Sequence, residues 1–68
     1  MASFKVSSTF WTAVRTIHAG SHSAARERYL VDHENETGFS FPEECTMRVS
    51  GKGETRDYVP VDGFFELA

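Results

Sequence analysis

Three histidines and one cysteine are the residues in this chain best suited to hold a metal or to act as base and nucleophile. His18 and His22 stand four apart, while His33 and Cys45 lie well separated along the chain. A structural zinc site needs four soft ligands, normally supplied in close pairs, and the sequence offers no such pair. A Cys-His or Ser-His-Asp set needs nucleophile, base and orienter to converge in a cleft that excludes water. Cys45, the histidines, Asp32, Asp57 and Asp62 supply the residue types, but none of the spacing that marks a catalytic motif. The expectation is therefore a protein without enzymatic activity, metal or cofactor. The histidines are read as surface residues, and Cys45 as a small apolar group on the inner side of a strand.

A second constellation is more suggestive. Arg15, Arg26, Arg28 and Arg48 form a basic set against an acidic rim of Glu34, Glu36, Glu43 and Glu44. Nine residues are aromatic, six Phe, two Tyr and one Trp, which is ample for a small core and leaves some for the surface. Trp11, Phe39, Phe41, Tyr58 and Phe64 are the aromatics expected to be exposed. Arginine beside aromatic side chains is the composition that protein-binding surfaces favour. The candidate partner-binding residues are accordingly Trp11, Arg15, Arg26, Arg28, Arg48 and Tyr58. Of Phe64 and Phe65, neighbours in a strand, one must face inward.

These side chains have to be positioned by a single domain, residues 1–68, that buries only about 60% of its unfolded surface. With one cysteine there is no internal disulfide, so a partner chain or self-association is the expected support. Phe4, Val6, Ser8 and Phe10 alternate with Lys5, Ser7 and Thr9, a strand period. Ser7-Ser8-Thr9 would turn the chain into a second strand from Trp11 to Ala19, rich in β-branched residues. The alternative is a helix capped by Ser8 or Thr9 and holding Phe10, Val14, Ile17 and His18, ended by Gly20. Ser21 is a good helix N-cap. A helix from His22 to His33 follows, with Ala24, Ala25 and Tyr29 on one stripe, and Gly38 is its break. Phe39 to Glu43 reads as a loop around Pro42. Cys45, Met47 and Val49 alternate in a third strand. Gly51-Lys52-Gly53 is a turn, Thr55 to Val61 a fourth strand, and Asp62-Gly63 a strong hairpin signal before Phe64 to Leu67. The order is ββαβββ: an α+β fold, a two-layer sandwich of one antiparallel sheet and one helix.

Lys and Arg total 7 against 10 Asp and Glu, a formal net charge of −3. A protein whose main partner is a nucleic-acid backbone wants the opposite sign. The start of the chain has no signal-peptide pattern, and no apolar run reaches membrane length. A cytoplasmic location is expected, with no membrane partner.

The segment Ile17-His18-Ala19-Gly20-Ser21 through Ala25, followed by Thr46-Met47-Arg48-Val49, resembles the strand, serine, helix and later strand of compact anti-CRISPR proteins. Phe10-Trp11 at a strand start, within a ββαβ order, is similar to the small phage inhibitor of host RNA polymerase. The resemblance implies a phage-encoded inhibitor that occupies a surface of a large host protein or ribonucleoprotein, such as a CRISPR surveillance complex, in the host cytoplasm and without turnover. Anti-CRISPR proteins of this shape often use basic side chains to block a nucleic-acid path, and the acidic balance here departs from that. Two other functions fit the pattern: a nucleic-acid-binding module, either a sheet face that stacks bases on Trp11 and Tyr58 or the helix-turn-helix alternative, and a homodimer joined at an open sheet edge.

Overall fold

The computed structural model describes residues 2–68. Five strands and one helix follow in the order β1 (Ala2–Ser8), β2 (Arg15–Ala19), α1 (His22–Thr37), β3 (Met47–Gly51), β4 (Glu54–Val61) and β5 (Phe64–Leu67). The strands make one sheet, β2-β1-β3-β4-β5, in which every neighbouring pair is antiparallel. Helix α1 carries the chain from the edge strand β2 across β1 to β3. This is the expected ββαβββ fold, an α+β sandwich of two layers.

Alternation sets the inner face. Phe4 lies opposite Ile17, Val6 opposite Val49, and Met47 opposite Tyr58. All six are buried under α1. Each of the larger ones contributes about 1.5–3 kcal/mol by leaving water. Ser3, Lys5, Thr16, His18 and Arg48 point to the outer face and remain exposed. Both sharp hairpins are two-residue turns with positive φ at both central positions: Lys52 and Gly53 at 52° and 74°, Asp62 and Gly63 at 50° and 86°. These are type I′ turns, whose twist matches that of the strands they join.

Local chemistry fixes the helix ends. The Ser21 hydroxyl accepts a hydrogen bond from the Ala24 amide at 3.1 Å. Gly38 closes the helix in the left-handed conformation, donating its amide to Glu34 O at 2.9 Å. The helix therefore runs one turn beyond His33, to the glycine expected to break it.

Residues 9–14 depart from expectation. They form neither the first part of a strand nor a helix. The Ser8 hydroxyl accepts from the Trp11 amide at 2.9 Å and donates to the Trp11 carbonyl at 3.1 Å. Both backbone groups of Trp11 are thereby satisfied without a ladder partner. Cys45 also precedes its strand rather than opening it, although it is buried, with its thiol donating to Pro42 O at 3.4 Å.

The largest correction concerns the histidines. His22 and His33 are buried in the inner stripe of α1 with Ala25 and Tyr29, and only His18 is on the surface. His22 Nε2 lies 3.1 Å from Gly51 O and 3.2 Å from Glu54 O, so it carries the ring proton and donates to the neck of the β3–β4 hairpin. The same ring meets Phe4 edge-on at 4.7 Å. Lys52 adds a second tie by donating to Gly20 O at 2.9 Å.

Gly51 completes this junction. A Cβ there would overlap the Phe4 ring and stand 2.9 Å from the Ser3 carbonyl. Phe4 is fully buried and has no room to yield. Gly51→Ala is expected to cost about 1–3 kcal/mol, seen as a lower urea midpoint at unchanged slope. Gly20→Ala, whose Cβ would meet nothing within 4 Å, should stay within about 0.5 kcal/mol of the parent.

Candidate functional site

After Gly38 the chain folds back toward the sheet, and Phe41 inserts beside the last turns of α1. Its ring stacks on His33 at 4.1 Å and 26°, lies 6.0 Å from Tyr29, and meets Phe65 edge-on at 5.7 Å. Trp11 closes the other side of the cluster, 5.0 Å from His33 and 5.1 Å from Tyr29. The Tyr29 hydroxyl donates to Ala13 O at 2.5 Å, which pins the 9–14 loop to the helix. Burial pushes the Tyr29 phenol above its ordinary range, with the Ser8 hydroxyl opposing that shift.

An open groove of about 840 Å³ lies between the second half of α1, the loop at residues 40–44 and the tip of the β4–β5 hairpin. Its apolar lining comes from Leu30, Phe41, Pro60 and Phe65 together with the exposed Val31, Val61 and Phe64. Strand alternation sends Phe65 inward, as expected, and leaves Phe64 75% exposed. Arg26 fixes the hairpin against the helix. Its guanidinium donates to the Phe65 carbonyl and lies 5.2 Å over the Tyr58 ring.

The six sequence-predicted binding residues do not share a face. Trp11 and Arg15 are together at the 9–14 loop, with the Arg15 guanidinium 4.9 Å over the Trp11 ring and 2.7 Å from Glu36. Arg26 and Tyr58 are together beneath the helix, and Tyr58 is 4% exposed rather than open to a partner. It is buried because its partner across the ladder, Met47, faces the core. Arg48 lies on the outer sheet face, paired with Asp57 at 2.8 Å. Arg28 borders a smaller groove on the other flank of α1, with His18, Ala24 and Val31. A base-stacking platform of Trp11 and Tyr58 is thus not formed. Phe39 and Phe64 are exposed as expected, whereas Phe41 is half-buried.

Among the described residues, no three His, Cys, Asp or Glu side chains converge as metal ligands, and no helix is long and apolar enough to cross a membrane. The residues that sequence reasoning missed are Leu30, Val31, Pro60 and Asp62. Only the Asp62-Gly63 hairpin signal, followed by a strand whose alternation sends Phe64 and Phe65 to opposite sides, hinted at them. No family model matches the chain, and comparison with curated proteins and with solved structures finds no significant match.

Cys45 is the sole thiol, and burial pushes its pKa up, away from the thiolate that nucleophilic chemistry requires. Native protein at pH about 8 should react with a disulfide reagent far more slowly than urea-unfolded chain. Equal rates would show that Cys45 is open to solvent.

Proposed function

We propose that this chain is a small non-enzymatic inhibitor that works by binding a protein surface, and that the groove beside Phe64 is where it binds. The observation that carries the reading is the exposed Phe64, held by a type I′ turn beside the apolar lining of Leu30, Phe41, Pro60 and Phe65. An apolar side chain left in water next to an unfilled apolar groove marks an interaction surface more often than a catalytic one. The rigid aromatic cluster behind it supports tight binding, since little order has to be gained on contact. The resemblance to small phage-encoded inhibitors extends the proposal. The partner is then a large host complex, a CRISPR surveillance complex among them, met in the host cytoplasm, and inhibition follows from occupying its surface.

The test is affinity capture from host lysate with the parent chain, Phe64→Ser, and the pair Arg28→Ala and Arg48→Ala. Phe64→Ser is expected to lose at least about tenfold of the captured complex, one hot-spot side chain's worth. The two arginine variants should retain it, because Arg28 borders the other groove and Arg48 lies on the outer face. Capture that is indifferent to Phe64, or that nuclease abolishes, contradicts the proposal.

A further inference from the structure

The groove is sharply polarised in charge. Five of the chain's ten carboxylates line it (Glu27, Glu34, Glu43, Glu44 and Asp62), and no Lys, Arg or His does. Glu27 is paired with Arg26 at 2.8 Å. Among the described residues the other four have no ion-pair partner, while Glu36, Glu54 and Asp57, all outside the groove, are each matched to an arginine. Among the described residues, three of the five carboxylates outside the groove are matched to an arginine and Asp32 and Glu66 are not; of the five that line it, four are unmatched, and they surround an apolar floor. A rim of one sign around low-dielectric walls concentrates the field inside it.

We infer that the occupant of this groove is a basic segment of a partner protein, one with Lys or Arg flanking a single large apolar anchor. The inference rests on the protein-binding reading and adds the partner's chemistry to it. The anchor fills the space between Phe41, Leu30 and Phe65, and the flanking cations meet Glu34 on the helix side and Glu43, Glu44 and Asp62 on the loop and hairpin sides. A nucleic-acid backbone is repelled by the same rim. A second copy of this chain is a poor occupant too, since it carries the same net charge of −3. Complementary charge of this kind sets partner choice and association rate more than final affinity.

The test uses the full chain, isotopically labelled, with three capped pentapeptides followed by amide chemical shifts: Lys-Lys-Phe-Lys-Lys, the same peptide with serine for phenylalanine, and its glutamate twin Glu-Glu-Phe-Glu-Glu. The lysine-phenylalanine peptide should shift the amides around Leu30, Phe41 and Asp62 to Phe65, and bind about tenfold tighter than the serine version. The glutamate twin should not bind. Glu43→Lys with Glu44→Lys, both at exposed positions, should weaken binding about tenfold at low salt. That difference should shrink as ionic strength rises toward about 0.5 M. No saturable shift with any peptide, equal binding of the lysine and serine peptides, or shifts mapping outside the groove overturns the inference. If Phe64→Ser abolishes capture of the host complex while the pentapeptides fail, a protein-binding groove stands and the basic partner falls. If Phe64→Ser leaves capture unchanged and the peptides also fail, both fall.

Discussion

Everything in this fold depends on how a helix with almost no aliphatic side chains on its inner stripe is held to a sheet. The buried positions of α1 are His22, Ala25, Tyr29 and His33. Rings supply the apolar contact, and backbone carbonyls receive the polar tips. His22 donates to the neck of the β3–β4 hairpin, Arg26 to β5, and Tyr29 to the 9–14 loop. Each such donor costs free energy if buried alone and stabilises the fold when matched. The result is directional: these bonds fix not only that the helix lies on the sheet but where along it.

His33 is the exception that shapes the rest. Its Nδ1, like Arg26 Nε, is buried with no hydrogen-bond partner, its Nε2 has only a 3.5 Å contact with the Thr37 hydroxyl, and its ring is enclosed by Trp11 and Phe41. Here the ring is used as an aromatic surface. Phe41 stacks on that surface and in doing so turns the chain after Gly38 back toward the sheet, making one wall of the groove. Arg26, by holding the Phe65 carbonyl, sets the opposite wall. Groove width is therefore governed by the same side chains that dock the helix, and the unmatched carboxylates are brought together as a consequence.

Local signals were legible in the sequence and long-range ones were not. Ser21 and Gly38 bound the helix, Asp62-Gly63 and Lys52-Gly53 sit at the hairpins, and Phe65 faces inward, because each of these follows from the chemistry of a few adjacent residues. The burial of His22 was illegible because its acceptors, Gly51 and Glu54, are 29 and 32 residues away. The spacing of His22, Ala25, Tyr29 and His33 is that of one helix face, yet imidazole hydrophilicity masked it. Residues 9–14 are rich in β-branched and aromatic types, but the Ser8 hydroxyl and the aromatic cluster overrode that propensity. The acidic rim was visible in part as Glu34, Glu43 and Glu44. Its meaning was not, since Asp62 and Phe64 join it only through the fold, and the arginines set against it turn out to be scattered.

The central claim, that donor tips on α1 bonded to distant carbonyls hold the two layers in register, is tested most directly by the tautomer of His22. A two-bond proton–nitrogen correlation spectrum at pH about 8, above the ordinary imidazole range, reads it without perturbing the molecule. The account predicts a single Nε2–H form for His22. An Nδ1–H form, or the averaged signal of a ring free in solvent, would contradict it.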